Sequence, residues 1–328
     1  MEQNEINWAV IGCGVIANEM ALAFQKAGRL LYSVANRTHE KATAFAEKYQ
    51  VKRVYDSIDE VFTDPDVDII YITTPHNTHY EYMKMALENR KHILVEKSIT
   101  LNSRELNEMV SLAKEKKRLI GEAMTIWHMP LYRKLREIVQ SGELGKVQII
   151  TVNFGSFKEY DMNNRFFNKY LAGGAMLDIG VYALSIVRSF MDESPKEIKS
   201  QWKPSPAGSD EMATILLQNA KGQMATVALS LHSKQPKRAM ISCEKGYIEI
   251  MEYPRAGRAV IVDAATSASR EIFAGKTSDA LSYEMQNMEE AVRTNNPSLL
   301  HIEETCDVMD IMTVLRKDWG LQYPGEVW

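Results

Sequence analysis

From Ile6 to Ala123 the chain alternates between segments that are apolar on every side and segments that are apolar on one side only. INWAVIG is followed by a helical pattern over Ile16–Lys26, LLYSVAN by one over His39–Lys48, and a short strand at Arg53–Tyr55 by one over Ile58–Phe62. VDIIYIT then precedes His79–Asn89, HILVE precedes Arg104–Lys116, and RLIGEAM closes the series. A strand that is apolar on both faces must be covered on both faces, and crossover helices supply that cover. The pattern therefore predicts a doubly wound parallel sheet with helices on each side.

The rhythm changes after a helical stretch at Pro130–Gln140 and a turn-rich joint, SGELGK. VQIITVNF, EIKSQW, EMATILLQ, QMATVALSL, RAMISC, YIEIME and RAVIVD follow, with NAKG as a hairpin signal between two of them. One helix is expected near Ala175–Phe190 and two more near Tyr283–Arg293 and Ile302–Asp318. Strands in succession with few crossovers predict an α+β domain on a mostly antiparallel, open sheet. The expected division is residues 1–123 for the first domain and 124–328 for the second. If the second sheet has an apolar open face, that area alone implies a dimer.

A length of 328 residues suits roughly two domains. The formal net charge of −4 argues against a nucleic-acid or anionic-membrane surface. The apolar runs, such as VDIIYI, fall short of a bilayer span, and MEQNEINW has no apolar signal core. Cys13, Cys243 and Cys306 are odd in number and widely spaced, which fits a reducing cytoplasm and no disulfide framework. His76 and His79 have no third ligand nearby, so no metal is expected.

Gly12-Cys13-Gly14-Val15-Ile16-Ala17 stands where the first strand turns into the first helix. This is the GxGxxA form of a dinucleotide fingerprint. Gly12 permits the tight turn, Gly14 lets main chain approach a pyrophosphate, and Ala17 allows close packing of helix on strand. The helix N-terminus offers N–H groups to the anion. The second strand ends in Asn36-Arg37, where an NAD site usually carries a carboxylate for the ribose 2′-hydroxyl. A guanidinium can chelate a 2′-phosphate, so NADP is preferred over NAD. Thr73, Thr74, Pro75, His76 and His79 follow the third strong strand, at the edge where ligands bind in such sheets, and are expected to touch the cofactor or cap the next helix.

HILVE ends on Glu96-Lys97 at that same edge. Neighbouring strand residues point to opposite faces, so one of the pair can face the redox ring while the other anchors the strand end. A lysine that is partly desolvated can have a lowered pKa and stabilise an alkoxide. A simple exposed ion pair is the competing reading. In AGGAMLDIGVYAL two glycines precede Asp178 and Tyr182, which are one helical turn apart. A phenol near an ammonium can give a proton to a carbonyl, while a helix-start carboxylate and a core aromatic are the plainer alternatives. Trp127 and His128 follow the last strand of the first series, in a place to line a pocket or to pack between domains. Arg165 is expected to bind a polar substrate or, by preference, to tie down its own loop. Tyr80 and Lys84 match a YxxxK pattern but follow the wrong strand for it.

Taken in order, GCGVIA, VEKSIT and GGAMLDIGVYAL resemble the glucose–fructose oxidoreductase/inositol dehydrogenase (Gfo/Idh/MocA) family over nearly the whole chain. GVY, with RFFN upstream, is most similar to its dihydrodiol dehydrogenase-like branch. The resemblance implies a nicotinamide cofactor, a Rossmann domain, a C-terminal domain with an open sheet, a homodimer or homotetramer, and catalytic roles for Lys97, Asp178 and Tyr182. Three departures stand out: Ser98 replaces the proline after the lysine, Trp127-His128 occupy a region where relatives often carry arginine, and Tyr182 stands where many have histidine. The implied activity is hydride transfer between NADP or NAD and a carbinol or carbonyl carbon of a sugar, polyol or cyclic diol. The alternative is a nucleotide-sensing regulator of the same fold without catalysis.

Overall fold

The structure, a computed structural model, describes residues 5–328. The chain forms two compact units. The first is built on β1 (Trp8–Ile11), β2 (Ser33–Ala35), β3 (Arg53–Val54), β4 (Ile69–Ile72), β5 (His92–Glu96) and β6 (Ile120–Ala123). All pair in parallel, in the order β3-β2-β1-β4-β5-β6. Every residue of β1, β2, β4 and β6 is buried, as strands covered on both faces require. The covering helices are α1 (Val15–Lys26), α2 (His39–Tyr49), α3 (Asp59–Thr63), α4 (His79–Glu88) and α5 (Ser103–Lys116). The strand order reverses between β1 and β4, which is the switch point where such sheets take ligands.

The second unit begins with α6 (Thr125–His128) and α7 (Pro130–Gln140). Its sheet has eight strands: β7 (Val147–Gly155), β8 (Glu197–Pro204), β9 (Asp210–Gln218), β10 (Met224–Ser230), β11 (Gln235–Cys243), β12 (Gly246–Met251), β13 (Arg258–Asp263) and β14 (Ser269–Phe273). Only the β7–β10 pair is parallel; the remaining pairs are antiparallel. The NAKG turn closes β9 onto β10 as expected, with the Gly222 N–H on the Asn219 carbonyl and Gly222 at φ +82°. Burial along β9 alternates residue by residue from Glu211. One face therefore meets α8 (Val181–Phe190), which buries Val181, Leu184, Ile186, Val187 and Phe190. Each large side chain so placed contributes about 1.5–3 kcal/mol.

The helix expected from Ala175 to Phe190 is not uniform. Met176–Gly180 form a π-turn, and α8 starts only at Val181. The span Lys169–Phe190 is long and apolar enough to cross a membrane, yet 78% of its most apolar window is buried as core of the second unit.

After β14 the chain returns to the first unit through α9 (Ala280–Thr294). Glu289 of this helix accepts the indole N–H of Trp8 at 2.8 Å and a guanidinium N–H of Arg29 at 2.5 Å. The final helix, α10 (Ile302–Asp318), and the tail belong to the second unit. There the fully buried Arg316 donates to both carboxylate oxygens of Glu326.

Candidate active site

Register places the phosphate turn and the Glu96-Lys97 pair on one sheet edge. Ile11 lies beside Ile72, and Ile72 beside Val95, so Gly12, Thr73 and Glu96 emerge abreast. Gly12 has φ +102°, and a Cβ there would stand 2.6 Å from Thr73 Oγ1 and 3.3 Å from its carbonyl. Thr73 itself is pinned by its N–H and hydroxyl, both donating to the Ile11 carbonyl. Gly14 differs: a Cβ there would meet nothing within 4 Å. It caps α1 with extended backbone and leaves the helix N-terminus facing open space, with Val15 largely exposed and Ala17 fully buried. Asn18 fixes the turn by donating to the Gly14 carbonyl at 2.8 Å. These residues fit a dinucleotide pyrophosphate, which needs bare main chain, a helix start and no intervening side chain. Burial raises the Cys13 thiol to about 11, opposed by nearby Lys41.

At the end of β2, half-buried Asn36 donates to the Thr38 carbonyl at 2.9 Å, and Arg37 is exposed. Arg37 is one of the charges acting on Tyr82, whose pKa is raised chiefly by burial.

Lys97 is held through its main chain. His76 Nε2 stands 3.0 Å from the Lys97 carbonyl oxygen. His79, wholly buried, has Nδ1 3.0 Å from the Ser98 carbonyl oxygen and Nε2 2.8 Å from that of Thr74. Burial lowers the His79 pKa, and the ring lies between carbonyls of the loop after β4 and the loop after β5, donating to one of them when neutral and to both when protonated. The peptide bond between Lys97 and Ser98 is cis. Ser98 is fully buried, and Ile99 N–H donates to buried Glu122 at 3.0 Å. The absence of proline after Lys97 is thus offset by two imidazoles and a carboxylate that fix the segment. Glu96 accepts the hydroxyl of Tyr71, so of the pair it is the carboxylate that anchors the strand end. Thr74 Oγ1 accepts from Thr78 at 2.7 Å, and Pro75 opens the following turn.

In the second unit, Asp178 lies on the π-turn and is 9% exposed, and half-buried Tyr182 follows in the first turn of α8. Phe154 of β7 packs 6.0 Å from the Tyr182 ring and 5.9 Å from Tyr253. The two glycines before the turn are there because other atoms occupy the space of a side chain. A Cβ at Gly173 would overlap the Arg165 carbonyl oxygen, and one at Gly174 (φ +134°) would overlap Asp210 Oδ1. Gly174 N–H donates to the Phe166 carbonyl and Gly173 N–H to that of Asn168. RFFN and AGG, separate in sequence, are therefore one packed unit. Arg165 rests on Phe166 at 4.5 Å and reaches Asp178 at 3.7 Å, linking its loop to the candidate catalytic carboxylate. Trp127 and His128 are 3% and 4% exposed on α6, which packs against Tyr253–Arg255 and α8. Among the described residues no three His, Cys, Asp or Glu side chains cluster as a metal site would.

Two family profiles match this chain. Residues 6–124 match an oxidoreductase family with an NAD-binding Rossmann fold, and residues 132–249 match the GFO/IDH/MocA C-terminal domain. The chain belongs to the Gfo/Idh/MocA family. Its first unit is an NAD(P)-binding Rossmann domain, and the protein is an NAD(P)-dependent oxidoreductase of that family. Trans-1,2-dihydrobenzene-1,2-diol dehydrogenase of Xenopus tropicalis is 26% identical over 97% of this chain and 99% of its own length. KijD10, a 3-ketoreductase from Actinomadura kijaniata solved with NADP and TDP-benzene, superposes with a TM-score of 0.86 at 20% identity, covering 96% and 98% of the two chains. Levoglucosan dehydrogenase with NADH and levoglucosan gives 0.85 at 18% identity over 97% and 98%.

Three residues of this Gfo/Idh/MocA chain escaped sequence reading. Glu122 looks like an ordinary member of RLIGEAM, yet it holds the Ile99 N–H. Asp210 and Glu211 form an acidic pair at the start of an otherwise alternating strand, a signal that was visible but unassigned.

Proposed function

We propose that this protein is an NADP(H)-preferring dehydrogenase or reductase acting on a secondary alcohol or ketone of a sugar, polyol or cyclic diol. Bound nicotinamide supplies or accepts the hydride. The chain does the rest. Gly14 and the start of α1 hold the pyrophosphate, and Arg37 pairs with the 2′-phosphate, beside Asn36 where a carboxylate would repel it. Tyr182 gives or takes the hydroxyl proton. Lys97 stabilises the oxyanion, and Asp178 orients the reacting hydroxyl. Arg165 holds Asp178 in turn.

One observation carries this reading: a lysine with its own and the next carbonyl gripped by two histidines, on the same sheet edge as an open glycine turn. A solvated surface lysine would not need such anchoring. The substrate class draws support from the diol dehydrogenase, the 3-ketoreductase and the levoglucosan dehydrogenase named above.

The test is turnover of NADPH or NADP with a panel of carbonyls and diols. Lys97→Met and Tyr182→Phe should each lower kcat by about 10²–10⁴-fold, with the NADPH Kd, read by fluorescence, changed less than about twofold. Full turnover in either variant removes that residue from the mechanism. Tight NADPH binding with no turnover of any compound by the unaltered protein returns the reading to a sensor.

The same reading takes the protein as a homodimer joined through the open face of the second sheet. That face carries Ile149, Leu216, Met224, Met240, Tyr247 and Val262, with Leu216 57% exposed. Adjacent apolar side chains of this kind mark an interface. Sedimentation at micromolar concentration should give twice the chain mass and, for Leu216→Asp, a shift toward one; a monomer in the unaltered protein ends this part of the proposal.

A further inference from the structure

Asp210 opens β9 with its side chain wholly buried. Its Oδ2 accepts the Met176 N–H at 2.5 Å, at the first residue of the π-turn that carries Asp178 and leads into Tyr182. Its Oδ1 lies where a side chain of Gly174 would be, and the Ala175 N–H also acts on the carboxylate. From the other side, Tyr323 donates its hydroxyl to the Gly173 carbonyl at 2.9 Å. The segment 173–176 is thus gripped by a carboxylate and a phenol. The ionisable groups facing Asp210 come from α10 and the tail: Arg316, its partner Glu326, and Tyr323. Glu211, next in the strand and also buried, accepts from the Tyr160 hydroxyl and from Lys203 Nζ at 3.0 Å. Two adjacent carboxylates so anchor the turn and the loop before it.

We propose that Asp210 is the positioning residue for Asp178 and Tyr182: its ionised carboxylate holds the start of the π-turn, and protonation loosens that hold. The inference rests on the reading of Tyr182 and Asp178 given above. A carboxylate at a helix start is favoured by the N–H groups and dipole it meets, and a neutral carboxyl much less so. Burial raises the Asp210 pKa from 3.8 to about 7, against the pull of the Met176 N–H and of Arg316. Turnover that depends on the ionised form therefore falls as pH drops through about 7.

Two measurements test this. In protein with ring-labelled tyrosine, the Tyr182 signal, assigned through Tyr182→Phe, should titrate with a midpoint near 7. In Asp210→Asn, which keeps shape and an acceptor oxygen but removes the charge, that titration should vanish. In turnover, Asp210→Asn should show a flat kcat between about pH 6 and about pH 8, roughly tenfold below the unaltered plateau, with KM and NADPH Kd within about twofold. A Tyr182 signal insensitive to pH in the unaltered protein overturns the inference, as does a variant profile that superposes on the unaltered one. If the unaltered protein turns over nothing, the redox reading fails by itself, and the Tyr182 signal still decides the role of Asp210. That measurement needs no Asp210 variant to fold.

Discussion

The two glycine pairs of this chain look alike in sequence and do opposite work. In GCG the first glycine is pressed against Thr73 and the second faces open space. In AGG both are pressed, one by the main chain of the RFFN loop and one by the Asp210 carboxylate. A glycine kept clear for a ligand and a glycine filled by the protein itself cannot be told apart by the letter G. They are told apart by what a methyl group would meet. The first pair leaves open space at the start of α1; the second is filled by protein and fixes the start of a π-turn.

Substitutions with alanine turn this contrast into numbers. The largest effect belongs to Gly174→Ala, because the Cβ would overlap a buried carboxylate oxygen at φ +134°. Strain and overlap together should cost about 3 kcal/mol or more, read as a lower denaturant midpoint. Gly14→Ala should leave stability within about 1 kcal/mol, since its backbone is extended and the space is empty. Its expected effect is a roughly 10- to 100-fold rise in the NADPH Kd, a loss of about 1.4–2.8 kcal/mol of binding. Equal losses of stability at the two positions would erase the distinction; a Gly14→Ala protein with unchanged affinity would remove the phosphate turn from the site.

Much of the first unit was legible because its signal is redundant. Doubly apolar strands, short connections and a glycine turn all point to one architecture, and register then places Gly12, Thr73 and Glu96 side by side. The second sheet was legible through its alternation, with one exception. SREIF forms β14, an edge strand in which only Ile272 is buried, so no period stands out. The uniform helix expected before Phe190 gives way to a π-turn because Asp210 and the Phe166 carbonyl, far apart in the chain, fix its start. His79 reads as a possible cofactor contact from its place after a strand, whereas burial and two facing carbonyls make it a tie between loops. In each case the missing information is a partner distant in sequence.

The return of α9 to the first unit has a consequence for biosynthesis. A ribosome releases Trp8 and Arg29 early, but the carboxylate they share, on Glu289, emerges only after the entire second sheet. At roughly 5–20 residues per second this delay is on the order of ten seconds or longer. Throughout it the nascent nucleotide-binding half lacks one of its walls. A fragment ended at Met124 would be caught permanently in that unfinished condition, its indole N–H and guanidinium deprived of the acceptor that the distal helix delivers.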